Sequence, residues 1–420
     1  MNDFFEQTTN CFIRRLEDYN LNILQISPYL PSTNANHAGG VCMGKEIEAL
    51  NNCNNTVYVL TFVSTKHEVD LLEKNKATNA KIEYVKINKI QRLLHIILNP
   101  LKPNYFATRS SIRFSIKLIR LIKDYNINAI HAEYTSMGQY LWIKKIYPSL
   151  KFNLVQHDVT LQSFRRKVIC EKSLIKRWYY YLQERLIFLS EKKYCSVSDN
   201  IFVFNKKDKC LIQNEYHVDN VTILSPYYGI EKEVIKHNIW GISTNKENNI
   251  CFMGQMGRPE NYLAAYRLIR IFNNISDQIH NCKLFIIGNN PPEKLKSMAS
   301  DRINITGYVD DVDDYMKKCK IAVFPLTLGA GIKIKVLRSM VSGIPVITTN
   351  IGAEGIDESG KVLLICQSDK EFETNIINLL NNVDVYENYK RAQYEFINES
   401  FNWEKSVDIL NKHYASLVDI

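Results

Sequence analysis

None of the ten cysteines stands in a C-x-x-C spacing. They fall at positions 11, 42, 53, 170, 195, 210, 251, 282, 319 and 366, several inside apolar runs such as "NICFMG" around Cys251. That pattern argues against a disulfide framework or a zinc site and for reduced thiols in a cytoplasmic protein. No apolar run approaches the roughly 20 residues that span a bilayer. The opening "MNDFFEQTTNCFIRRLEDYN" has no basic segment followed by an apolar one, so no secretory signal is expected. Repeats and low-complexity tracts are also missing, which leaves a globular protein, soluble or peripheral on a membrane.

Charge of one sign does not dominate either. The 53 basic and 44 acidic residues give a formal charge of +9 over 420 residues. This modest excess suits an anionic ligand or an anionic membrane surface, does not demand nucleic acid, and equally fits a well-solvated lysine-rich surface. The length predicts two domains, each able to bury its own core.

What the chain does have is an alternation of buried strand-like runs and helix-like periodic segments. Strands are expected at 21–27, 56–63, 128–134, 152–158, 200–205 and 221–225, then at 249–254, 283–288, 320–326, 344–349 and 361–366. Continuous apolar runs separated by helices imply βαβ units and doubly wound parallel sheets. The polar, strand-poor stretch 224–249 reads as a linker. It places one α/β domain at 1–225 and another at 226–400. The last segment, 401–420, reads as a helix with Trp403, Val407, Leu410 and Tyr414 on one stripe.

The chemistry is expected around "FPLTLGAGIKIKVLRSMVSGIPVITT", residues 324–349. A strand runs into Gly329 and Gly331, and a helix follows. Glycines let backbone N–H groups approach a ligand, and the helix start adds partial positive charge. Lys333 and Lys335 would add full charges, which suits a pyrophosphate; a tight turn with surface lysines is the plainer alternative. "CFMGQMGRPENYLAAYRLI" (251–269) repeats the strand, glycine loop and helix order, with Arg258 and Asn261 near the helix start.

These segments, with "LFIIGNNPPEKL", "INITGYVDDVDDYMKKCKIAVFPL", "NIGAEGI" and the closing "FNWEKSVDIL", resemble GT-B glycosyltransferases of the GT4-like type, the glycosyl transferases group 1 family. The first half is similar more loosely, through "ILQISPYLPSTNANHAGGVCMGKEIEAL", where Gly39 and Gly40 match a glycine pair on the acceptor side, and through "LVQHDVT". The resemblance implies two Rossmann-like domains facing across a cleft, with the C-terminal helix crossing back to the first. It implies transfer of a sugar from a UDP- or GDP-sugar to a glycan or lipid-linked saccharide, without metal or other cofactor and with retention of configuration. Surface polysaccharide assembly is the expected setting, and the cytoplasmic face of the inner membrane the expected place. Gly329, Gly331, Lys333 and Lys335 would hold the donor diphosphate, Lys335 being the one with a solvent-facing alternative. Arg258 is a further phosphate cation or a surface residue. His157, at a strand end, would contact the transferred sugar, with Asp158 orienting it or capping the next helix.

One departure stands out. Many members of the resembled family carry a glutamate where this chain has Arg338, and an arginine cannot accept the ribose hydroxyl bonds. Glu354 is a candidate replacement; alternatively Arg338 serves the phosphates, or the site is catalytically degenerate and the chain is a GT-B scaffold. A sugar-nucleotide epimerase is a third reading. Asp311-Val-Asp313 is read as turn chemistry, not as a metal motif. Arg113, Lys117 and Arg120 recur in the basic apolar tract 86–125, which is either a docking face for an anionic leaflet or a core helix with a solvated basic side.

Overall fold

The computed structural model describes residues 20–417 except 34, 36–37, 53, 75–79 and 229–246. Most of the stretch read as a linker lies outside the described residues. Two compact units divide the chain: Met1–Ser225 with Trp403–Ile420, and Pro226–Asn402.

The first unit is built on β1 (Asn22–Ser27), β2 (Thr56–Val63), β3 (Lys81–Lys86), β4 (Ala129–Glu133), β5 (Lys151–Gln156), β6 (Asn200–Val203) and β7 (Val221–Ile223). They form one seven-stranded sheet in the order β3-β2-β1-β4-β5-β6-β7, with all pairings parallel. The strand order reverses between β1 and β4. A crevice is expected outside the carboxyl ends of the strands at such a reversal. β1, β4 and β5 are almost wholly buried, as their apolar runs require.

The helix Ile112–Asp124 carries Arg113, Lys117 and Arg120 of the basic tract. Ser111 caps its first turn, and Phe114, Leu118, Leu121 and Ile122 enter the core. Phe114 stacks on Phe62 of β2 with centroids 4.5 Å apart. Each such side chain contributes about 1.5–3 kcal/mol by leaving water. On the outer side, Lys117 and Arg120 both pair with Glu83 of β3. This helix is therefore a core helix with a basic outer side.

The second unit holds β8 (Ile250–Met253), β9 (Leu284–Ile287), β10 (Ile303–Ile305), β11 (Ile321–Phe324), β12 (Val346–Thr348) and β13 (Leu364–Ile365). The sheet is again parallel, in the order β10-β9-β8-β11-β12-β13, and reverses between β8 and β11. The loops leaving β8 and β11 are the two glycine loops singled out in the sequence.

Candidate functional site

In the first unit, titratable side chains gather at the carboxyl ends of β4 and β5. His157 follows β5, and its Nε2 lies 2.8 Å from Glu133 Oε2 at the end of β4. Glu133 Oε1 accepts a 2.6 Å bond from Gln25 Nε2 on β1. Behind it, His131 Nε2 is 3.1 Å from Glu46 Oε2 and 3.4 Å from Glu133 Oε1. His131 Nδ1 is 2.7 Å from the Tyr414 hydroxyl on the helix Trp403–Ala415. Glu46, His131 and Glu133 are fully buried, while His157 keeps 10% of its side chain in solvent.

Burial opposes ionisation of Glu133, but hydrogen bonds from His131 and His157 outweigh it and hold the carboxyl well below its usual range. His131 is the reverse case. Burial disfavours its proton, yet the Tyr414 oxygen and the two carboxylates push its pKa well above the ordinary value. Glu46 is raised to about 7, first by burial and then by the nearby Glu133 charge. The result is one imidazolium, one firm carboxylate and one carboxyl that titrates near neutrality. With Glu133 accepting there, His157 carries a proton on Nε2. Among the described residues, Glu46, His131 and Glu133 are close enough to share a metal ion, with ligand atoms within 4.8 Å of one another. Those atoms here bind each other, Gln25 and His157.

Tyr134 closes this group. Its ring stacks on His157 with centroids 3.8 Å apart and planes 3° from parallel. Its backbone sits at φ 64°, ψ 146°, a conformation that costs a non-glycine residue about 1–3 kcal/mol. Gly39, in the first turn of the helix Ala38–Asn51, lies against both rings. A Cβ there would run into the Tyr134 hydroxyl and reach 3.7 Å from His157 Nδ1. Gly39→Ala is therefore expected to cost about 1–3 kcal/mol and to push Tyr134 off His157. The loss of ring-current shielding on the His157 C–H resonances in proton NMR checks this; unchanged resonances in the folded variant would refute it. Gly40 is buried next to Gly39.

In the second unit, the loop after β11 turns through Gly329 (φ 119°) and Gly331 (φ 67°), conformations that only glycine adopts without strain. The helix Ile334–Val341 follows, and no side chain caps it. Its first turn therefore offers backbone N–H groups and dipole charge to an anion. Lys333 stands at the N-cap; its Nζ donates to Gly331 O at 2.5 Å and lies 3.9 Å from Glu354. Both side chains are nearly buried. Lys335, for which solvent was one expectation, points inward instead. Its Nζ donates to Asn261 Oδ1 and lies 5.0 Å from the Phe252 ring centroid. Burial, then Lys333, lower its pKa to about 7, with Arg258 adding to the effect and Glu260 opposing it. Arg258 precedes the helix Pro259–Ile275, is largely exposed and pairs with Glu260 at 2.5 Å. Lys333 and Arg258 thus both act on Lys335 between the two loops, an arrangement that a bound anion would relieve.

Residues 247–382 match the family described as glycosyl transferases group 1. That match covers most of the second unit. A protein of Klebsiella pneumoniae called "uncharacterized 44.6 kDa protein in cps region" is 24% identical over 88% of this chain and 94% of its own length. An uncharacterized glycosyltransferase of Methanocaldococcus jannaschii is 27% identical over 53% of this chain and 59% of its own. Among solved structures, sucrose-phosphate synthase from Thermosynechococcus elongatus has a TM-score of 0.68 at 12% identity, covering 95% of this chain and 99% of that one. Anabaena HepE in complex with UDP-glucose has a TM-score of 0.63 at 11% identity, covering 94% and 100%. These likenesses establish the GT-B fold.

Within the matched region, Arg338 pairs with Asp313, with Nη2 donating to Oδ1 at 2.9 Å. Its Nε is buried with no hydrogen-bond partner among the described residues. Asp311 Oδ1 accepts from the Asp313 backbone N–H at 2.8 Å, which is turn chemistry. In the first unit, the helix Thr160–Cys170 begins at Val159 without a side-chain cap of its own. Buried Glu191 instead accepts from the Thr160 and Leu161 N–H groups. The carboxylate that holds His157 is that of Glu133. Sequence reasoning missed Glu46, His131, Glu133, Tyr134 and Tyr414. The signal for two of them was present, since His131 and Glu133 alternate on one face of an otherwise apolar strand.

Proposed function

We propose that this chain moves a hexose-type sugar from a nucleoside-diphosphate sugar to a glycan or lipid-linked saccharide, with retention of configuration. The supporting observation is the cationic, glycine-lined pair of loops at the sheet reversal of the group 1 domain. There Lys333, Lys335 and the uncapped helix start would neutralise the departing diphosphate without a metal. His157, its Nε2 proton fixed by Glu133, would accept from a sugar hydroxyl through Nδ1. Glu354 would serve as an acceptor where Arg338 cannot. Neighbours solved with UDP and UDP-glucose favour a uridine donor, and a relative from a cps region favours surface polysaccharide assembly on the cytoplasmic side.

Calorimetry with UDP and GDP tests the donor site. Lys333→Ala should weaken binding about 10–100-fold, the worth of a hydrogen bond to a charged group, with little change in melting temperature. Unchanged affinity in the folded variant removes the phosphate role. The Lys335 ammonium gives a second readout. Near pH 8 it is mostly neutral, and a bound diphosphate would favour its charged form. Binding should then take up about one proton, and affinity should fall as pH rises above about 7. Titrations in buffers of different ionisation enthalpy measure the uptake, which Lys335→Ala should abolish; no uptake in wild type rules Lys335 out.

The second reading, a degenerate scaffold, draws on the Arg338–Asp313 pair. No nucleotide binding by wild type, with recovery in Arg338→Glu, would put it first.

A further inference from the structure

The helix Lys89–Leu98 buries none of its residues. Even so, Ile90, Leu93, Leu94, Ile97 and Leu98 are each at least half exposed, and Leu101 just after it is 86% exposed. Single exposed aliphatics are ordinary, but a helix made largely of them is not. A second such segment opens the helix Leu174–Val197, where Leu174, Ile175 and Trp178 are 79%, 83% and 67% exposed. The two meet at Asn104, whose backbone N–H donates to Gln183 at 2.7 Å and whose side chain donates to the Tyr179 hydroxyl at 2.9 Å. Asn104 thus links the two segments on the surface of the first unit.

The charge along the two segments is almost all positive. Residues 88–123 include no Asp or Glu, and 159–183 include only Glu171. Lys89, Arg113, Lys172, Lys176 and Arg177 are exposed among the apolar side chains. A second copy of the chain is a poor occupant, because a two-fold interface would set this cationic face against itself. A bilayer with anionic headgroups fits both properties. Aliphatic side chains enter the acyl boundary, cations meet phosphate, and Trp178, Tyr179 and Tyr181 suit the interfacial layer. At 10 residues the first helix is about 15 Å long, half the hydrocarbon thickness, so it would lie in the surface and not cross it.

We propose that residues 89–101 and 172–182 dock the first unit on an anionic phospholipid bilayer. The docking face is thus carried by the segment before Ile112–Asp124, not by the Lys117 and Arg120 side of that helix. The inference goes beyond the donor reading: vesicle binding without nucleotide binding would uphold the one and sink the other. The test is flotation of the full chain with vesicles of phosphatidylcholine alone or mixed equally with phosphatidylglycerol. Wild type should float with the mixed vesicles only, and less so in high salt. Leu93→Glu/Ile97→Glu and Leu174→Glu/Trp178→Glu should each cut the bound fraction about tenfold or more. All four positions are exposed, and circular dichroism melting confirms folding of each pair. Failure to bind mixed vesicles, or undiminished binding by both folded variants, overturns the proposal. So does a dimer in light scattering that these substitutions dissolve while vesicles bind nothing.

Discussion

Glu133→Gln is expected to lower the stability of the first unit by about 3 kcal/mol, the low end of the loss when one partner of a buried ion pair is removed. The carboxylate accepts from Gln25 and His157 and faces His131, with no solvent to replace any of them. An amide would turn an N–H₂ group towards a donor and leave the His131 imidazolium with Glu46 alone. Glu46 softens the loss. Part of its raised pKa comes from the Glu133 charge, so in the variant it ionises more readily and partly replaces the lost pair. The pH dependence has a defined sign. A carboxyl held below its ordinary 4.5 adds stability above that pH, and the addition fades as pH falls through the folded value. The gap between wild type and variant should therefore be widest near neutral pH and shrink below about 4.5. Urea unfolding at several pH values measures it, with a midpoint shift of about 1 M at pH 7. A constant gap down to acid pH would show that Glu133 acts by shape and not by charge. In a transferase assay, the same variant should lose turnover more than substrate affinity, because His157 would no longer be held in one tautomer.

Gly288→Ala is the second large effect. Gly288 directly follows β9 at φ 144°, and a Cβ on it would collide with the carbonyl oxygen of Gly254, which directly follows β8. That neighbour is backbone and cannot swing aside. Strain and overpacking together should cost about 3 kcal/mol or more. The displaced segment also carries Arg258 and Asn261, the latter bonded to Lys335. UDP affinity should therefore fall alongside stability. Gly307→Ala is the control: it too sits at positive φ (71°), but nothing lies within 4 Å of its Cβ direction. It should cost about 1 kcal/mol from strain and leave UDP binding unchanged. Thermal melting and UDP titration of both variants decide the matter. Equal losses would mean that the close approach of the two strand ends carries no particular weight.

Both sheets were legible because their inner strands are unbroken apolar runs. The two strands that escaped notice are β3, "KIEYVK", and β10, "INI", each at one edge of its sheet, while the opposite edges β7 and β13 were expected. An edge strand has one neighbour and a wetter surface, so its sequence is less apolar and its pattern weaker. The glycine loop after β11 was readable from Gly329, Gly331 and Lys333 because a glycine loop before a helix is a local arrangement. Lys335 was not, since its inward turn depends on Asn261, 74 residues earlier. The His157 cluster was least legible of all. Its members come from Glu46, His131, Glu133 and Tyr414, and only folding brings them within hydrogen-bonding distance.

Tyr414 has a consequence for how the protein is made. The helix that carries it completes the first unit, yet the whole of the second unit lies between them in the chain. On a ribosome, roughly 10–40 s separate the emergence of Ser225 from that of Tyr414. Throughout that interval His131 and Glu46 would sit in a half-built interior open to water, while the inserted unit is free to fold. A nascent chain cut short before Trp403 would thus contain every strand of both sheets and still lack a finished first half.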